Sequence, residues 1–216
     1  MKIFLAAAHG GNDPGAVANN TTEAIEVKAI VEKAAAILKP HLGAGNFLIV
    51  VPHDLDLEAE VDFINRTPGV SVNDICLEIN MNSNQGTPGT GTETYYGYPH
   101  LADIIQKILV KEIGLADRGV KDGDGFYFNN MTTPGSALVE MGFINNVNDL
   151  VIVREKGPKA LAKAIANYLG IILPEPTPTP TPTPPNTPPV PGNLKKVVIK
   201  GKITTIEING ENLLIN

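Results

Sequence analysis

A single cysteine, Cys76, stands among 216 residues, which excludes an internal disulfide and any multi-cysteine zinc knuckle. Tryptophan is absent and aromatic residues make up only 5%, so the stacking platforms of carbohydrate- or RNA-binding modules are lacking. Positive charge is short as well. Seventeen Lys and Arg face 23 Asp and Glu, a formal net charge of −6, which argues against a phosphate backbone or an anionic membrane surface as partner. No apolar run reaches the ~18 residues that span a bilayer. Neither GxGxxG nor GxxxxGK[ST] occurs, so nucleotide binding is rejected. The start, MKIFLAAAHGG, holds one lysine and six consecutive apolar residues. A secretory h-region runs ~7–15 residues, so this segment reads as a first β-strand.

What remains is a chain that is 43% hydrophobic, enough for one α/β domain and a small appendage. The clearest boundary is PEPTPTPTPTPPNTPPVPG, residues 174–192, which contains ten of the chain's 18 prolines. Such a run fixes φ and lacks backbone donors, so it is expected to be an extended polyproline-II spacer. Residues 193–216 alternate like short strands, with Lys200-Gly201-Lys202 and Asn209-Gly210-Glu211 as turn signals. Two or three such strands alone are marginal in water, so a partial binding or assembly module is expected there. Self-association through these strands is an open route.

Residues 1–173 alternate strand and helix. Strands are expected at 2–8, 46–51, 74–81, 92–96, 125–129 and 136–143, and helices at 22–38, 99–113 and 158–169, with a shorter helix at 57–66. That order implies an α/β fold, a single twisted, mostly parallel sheet flanked by helices on both faces.

Four positions draw attention within this frame. His9 closes the first strand and opens a glycine-rich loop, where open α/β sheets place their ligand crevices. Glu23 sits in the first turn of the first helix, either as a helix-dipole carboxylate or aimed back at His9. In DICLEINMN, period two puts Cys76, Glu78, Asn80 and Asn82 on one face of a strand that is expected to be buried on both. Three polar residues there mark a crevice or a hydrogen-bond network. Glu140, in SALVEMGF, lies near the end of an apolar strand, where a lone carboxylate is costly unless paired, metal-bound or protonated.

HGGNDPGA, Glu23, EINMN, GTETYYG and LVEMGFINNVND, in that order, resemble the type 3 zinc-dependent N-acetylmuramoyl-L-alanine amidases over residues 2–169. The resemblance implies hydrolysis of the amide between muramic acid and the first L-alanine of the peptidoglycan stem peptide. It implies His9 and Glu23 as zinc ligands and Glu140 as the catalytic glutamate. It also implies a third ligand, a histidine, where this chain has Asn80. Asn82 is expected to orient substrate or brace the ligands, and Glu78 to lie behind Asn80. Glu93 is read first as a solvated strand glutamate and second as sharing the role of Asn82. An asparagine carbonyl is a hard, weakly basic ligand better matched to calcium or magnesium than to zinc. Zinc is therefore expected to be weakened or absent, and hydrolysis impaired. The intact remainder of the motif set favours a deliberate ligand knockout over drift to a non-catalytic wall binder. A working site with weakened metal is a third reading, and a metallopeptidase acting on the stem peptide is a further alternative. The partner implied is peptidoglycan, with no nucleic acid and no membrane span. Lacking a signal peptide, the chain is expected to be cytoplasmic until released to act on the wall, as an endolysin or a sporulation lysin.

Overall fold

The computed structural model describes Met1–Pro174 and, separately, two short strands, Thr205–Ile208 and Glu211–Leu214. These fall in two units, Met1–Pro174 and Glu175–Asn216. The proline-rich stretch at 174–192 lies, beyond its first residue, outside the described residues, as does the expected strand around Val197.

The first unit is built on six strands: β1 (Lys2–Ala7), β4 (Phe47–Val50), β5 (Ile75–Asn82), β6 (Thr92–Tyr96), β7 (Asp117–Asp122) and β8 (Gly135–Phe143). Their order is β4-β1-β5-β8-β6-β7. All neighbours run parallel except β6 and β8, which are antiparallel. A small antiparallel pair, β2 (Val17–Ala18) and β3 (Thr21–Thr22), lies between β1 and the first helix. In the second unit, β9 (Thr205–Ile208) and β10 (Glu211–Leu214) form an antiparallel pair.

Period-two alternation sends each central strand's side chains to two different layers. Ile3 and Leu5 of β1, Ile75, Leu77 and Ile79 of β5, and Val139 of β8 pack into the larger core. That core is closed by α1 (Glu23–Leu38), α3 (Pro99–Ile113) and α5 (Val147–Tyr168). Phe4, Ala6 and Cys76 face the other way, against Val61 and Ile64 of α2 (Leu57–Arg66) and Phe128 of α4 (Tyr127–Met131). Burying each of the large aliphatic side chains contributes about 1.5–3 kcal/mol, so the three-helix layer carries most of the stability. The second cover is shorter. Along β5 its face reads Cys76, then Glu78, Asn80 and Asn82, changing from apolar to polar towards the C-terminal end. That change positions the site.

Local rules explain the helix starts. Thr22 caps α1, its hydroxyl accepting from the Ile25 N–H at 3.3 Å, and Asp56 caps α2 by accepting from the Ala59 N–H at 2.8 Å. Arg154 of α5 donates to both oxygens of Glu26 on α1, at 2.8 and 2.6 Å, a forked pair between neighbouring helices.

Two expectations need correction, and one strand lies where none was expected. The strand expected at 125–129 is a turn leading into α4; its aromatic run resembles a strand, but Phe128 is buried from a short helix while Tyr127 is exposed. The last helix begins at Val147, eleven residues before Pro158, which sits buried inside it. Proline resembled a first-turn residue, but Asn146 supplies the cap by accepting from the Asn148 and Asp149 N–H groups. The strand β7 went unrecognised because its sequence, DRGVKD, is charged. It is an edge strand, where charge is common.

Candidate active site

His9 follows β1 in a left-handed conformation, φ 63°, unusual for a residue with a side chain. The turn aims its ring at two carboxylates. Nδ1 lies 2.8 Å from Asp13 Oδ2 and Nε2 lies 3.2 Å from Glu23 Oε2. The hydrogen bond to Glu23 is the main reason the imidazole pKa rises to about 9, against the opposing effect of burial. Glu23 is held in turn by the backbone: Oε2 accepts from the Ala16 N–H at 3.1 Å and Oε1 from the Met81 N–H at 2.8 Å. The carboxylate is therefore aimed back at His9, the second of the two readings open from sequence. Gly15 makes this packing possible. Its φ is 62°, and a Cβ there would fall 2.6 Å from the His9 ring and 2.8 Å from Glu23 Oε2.

Asn80 and Glu140 are direct partners across the β5–β8 pairing. Asn80 is 8% exposed, and its Nδ2 donates to Glu78 Oε2 at 3.1 Å. Glu140 is half-buried, with Oε2 sealed from solvent and without a hydrogen-bond partner. Burial, then the charges of Glu23 and Glu93, push its pKa up to about 8, so the carboxyl holds its proton at neutral pH. Glu60, on the first turn of α2, reaches Glu78 from the opposite wall, and burial raises both so that the pair retains a proton.

A cleft of about 590 Å³ is lined by Ala8, His9, Gly10, Gly11, Asn12 and Asp13, by Asp54–Leu57 and by Glu60, with Glu23 behind His9 and outside the lining. Glu78, Asn80, Leu138 and Glu140 form its floor, and Phe126 lies at its edge. His53 lies outside this lining.

Asn82 and Glu93 belong to an adjoining network. Asn82 Nδ2 donates to Glu93 Oε1 at 2.7 Å, and the Tyr95 hydroxyl donates to the same oxygen at 3.2 Å. Glu93 Oε2 accepts from Arg118 Nε at 2.7 Å and from Lys121 Nζ. Glu93 is 1% exposed, not a solvated strand glutamate; its two cations hold it below the ordinary carboxylate range despite burial.

Asp13, Glu60, Arg118 and Lys121 were not singled out from sequence. Asp13 had a signal, lying four residues after His9 in the same loop. Glu60 precedes Val61, whose burial marks the inner face of α2, but acidic residues in a first helical turn usually serve the dipole.

A catalytic zinc ion takes three protein ligands of imidazole, thiolate or carboxylate type, plus water. His9 and Glu23 are two such ligands. At the third sequence-expected position stands an amide whose NH2 is directed to Glu78, and no three His, Cys, Asp or Glu among the described residues form a group able to hold a metal. The donor set falls one ligand short of a zinc site.

A family model described as N-acetylmuramoyl-L-alanine amidase matches residues 3–170. The chain belongs to that family. It is 29% identical to the N-acetylmuramoyl-L-alanine amidase LytC of Bacillus subtilis (strain 168), covering 77% of this chain and 35% of LytC. It is also 29% identical to the endolysin of Bacillus phage SPP1, covering 71% of this chain and 58% of the endolysin. The chain thus spans about a third of the first and little over half of the second. Among solved structures, the catalytic domain of the amidase CwlV from Bacillus (Paenibacillus) polymyxa var. colistinus matches with a TM-score of 0.65 at 25% identity, over 80% of this chain and 100% of that one. The amidase fold is therefore shared across the first unit, and no helix among the described residues is long and apolar enough to cross a membrane.

Proposed function

We propose that this amidase-family chain binds the junction between muramic acid and L-alanine of peptidoglycan in the His9–Glu140 cleft, and that Asn80 impairs its hydrolysis. The observation that carries this reading is the pairing of Asn80 with Glu140 across β5 and β8, with His9 and Glu23 preserved beside them. An acidic, half-open cleft with a protonated carboxyl suits an amide. When ionised, Glu140 can take the proton released by the attacking water and pass it to the departing amine as the C–N bond breaks. What the chain lacks is a third strong ligand to activate water. No second general acid is needed.

The test is the release of new N-terminal alanine from purified peptidoglycan, comparing this chain with Asn80→His, both supplied with zinc. Release by the variant alone is expected. Equal release by both would overturn the impairment. Release by neither, with the protein still sedimenting with walls, would favour a non-catalytic wall binder of amidase fold. Mass analysis of released fragments separates an amidase, which frees peptides beginning with alanine, from a peptidase cutting within the stem.

A further inference from the structure

Beyond Glu140, the same sheet edge carries a positive cluster that lies outside the lining of the acidic cleft and adjoins it through the Glu140–Glu93 pairing. Glu93 is the cross-strand partner of Glu140, and β7 lies on the far side of Glu93. Between Thr92 and Thr94 of β6, which pair with Asp117 and Val120, β7 carries one extra residue, a β-bulge. Gly119, φ 83°, supplies the left-handed turn of that bulge, and the Asp117 carboxylate accepts from its N–H at 2.9 Å. In a regular strand, residues three apart face opposite sides. The bulge brings Arg118 and Lys121 to the same side, where both reach Glu93 Oε2.

Two cations on one carboxylate leave the cluster with a net charge of +1. Arg118 uses its Nε–H on Glu93, and its terminal guanidinium nitrogens make no hydrogen bond among the described residues. The guanidinium carbon lies 5.0 Å from the centre of the Phe143 ring and Lys121 Nζ 5.5 Å from that of Tyr95, so both heads rest on aromatic faces. Their side chains remain 36% and 37% exposed. A buried Glu93 needs one cation; the second, with the free edge of the guanidinium, is available to an anion.

We propose that Arg118 and Lys121 form a carboxylate-recognition subsite for the stem peptide, binding the free α-carboxylate of the residue after L-alanine. This rests on the cleft being a muramyl-peptide site. Adjacent strands stand about 4.8 Å apart, so Glu93 is one strand step from Glu140 and β7 is two. In the peptide, the second residue's carboxylate lies within about 7 Å of the scissile carbonyl, the reach of two extended residues. With the scissile amide at Glu140, that carboxylate falls between the first step and the second, where the two cationic heads meet. Arg118 meets a planar carboxylate with parallel donors, and Lys121 adds charge.

The experiment compares two ligands on the full chain by titration calorimetry. One is MurNAc-L-alanyl-D-γ-glutamyl-L-lysine; the other is identical except that the α-carboxylate is an amide. Tighter binding of the carboxylate ligand by about tenfold is expected, the worth of one partly exposed charge-assisted hydrogen bond. That preference is expected to shrink with added salt, and the affinity ratio to fall toward one in Arg118→Gln and in Lys121→Gln. A purely structural role as counter-ions for Glu93 predicts no ligand discrimination. Equal affinity of the unmodified chain for both ligands overturns the subsite even if a variant fails to fold, while leaving the muramyl-peptide reading intact. Binding of neither ligand overturns both.

Discussion

Asp149, in the first turn of α5, shows how the site's floor is held in place. It is 1% exposed. Its Oδ1 accepts from the Thr90 hydroxyl at 2.7 Å, and its Oδ2 from the backbone N–H groups of Gly91 and Phe143, each at 3.1 Å. One carboxylate thus ties the loop entering β6 to the end of β8, the two strands that carry Glu93 and Glu140. Asp149→Ala removes three hydrogen bonds at once and leaves two buried N–H groups unpaired. A hydrogen bond to a charged group contributes about 1.5–3 kcal/mol, but the loop can relax and admit water, so the sum is expected at about 3–5 kcal/mol. For a domain of this size that lowers the melting temperature by about 10 °C. Asp149→Asn keeps an oxygen for the two N–H groups, and the Thr90 hydroxyl can turn to accept, so its loss is expected near 1 kcal/mol. Urea unfolding of both variants checks the ratio. If alanine costs less than about 1 kcal/mol, or asparagine costs as much as alanine, the hydrogen bonds do not carry the stability assigned to them here.

The remaining predictions concern single residues. Replacing Asn80 with His is expected to raise zinc affinity by at least about tenfold, measured by competition with a chromophoric chelator; unchanged affinity would remove position 80 from the ligand shell. Gly15→Ala, which places a methyl against His9 and Glu23 in a left-handed conformation, is expected to cost about 2 kcal/mol and to abolish muramyl-peptide binding, read by thermal unfolding and calorimetry. Arg154 holds the Glu26 carboxyl below its ordinary 4.5. The pair therefore stabilises the fold above that pH and loses its effect as pH falls through the lowered value. Glu26→Gln is expected to cost about 1 kcal/mol at pH 7 and nearly nothing at pH 3, and a constant difference across that range would contradict the assignment. Burial pushes the Cys76 thiol up to about 12, so Ellman's reagent is expected to label it only after unfolding.

The positions legible from sequence are those where periodicity and burial disagree. Along β5, a strand buried on both faces but carrying Glu78, Asn80 and Asn82 on one of them signalled a polar crevice, and that crevice is where the α2–α4 cover ends. Glu140 was legible for the same reason. The pairing of Glu23 with His9 was one of two open readings, because a carboxylate in a first helical turn also has a local explanation that needs no partner. Only the left-handed turn at His9 and the close approach permitted by Gly15 bring the two together. Glu93 was misread because alternation on β6 cannot show that β7, a charged segment with no strand-like pattern, lies alongside and covers it. Missing one edge strand concealed the neutralisation of a buried glutamate.

A physical division of labour follows across the sheet. On the β1–β5 side, burial first and then the shortage of cations raise the carboxyl pKa values, so Glu140 and the Glu60–Glu78 pair each retain a proton and the cleft favours a cation or hydrogen-bonding amide. On the β6–β7 side, two cations face one carboxylate and the balance reverses. Glu140 lies at the boundary, its pKa raised by burial and by the charges of Glu23 and Glu93, while the cations Arg118 and Lys121 stand on the strand beyond Glu93. Lys121→Gln is therefore expected to move the Glu140 carboxyl further up. The Glu140 pKa, read by NMR titration of the side-chain carboxyl carbon, is expected above that of the unmodified chain. An unshifted or lowered value would show that the two halves of the sheet edge act independently.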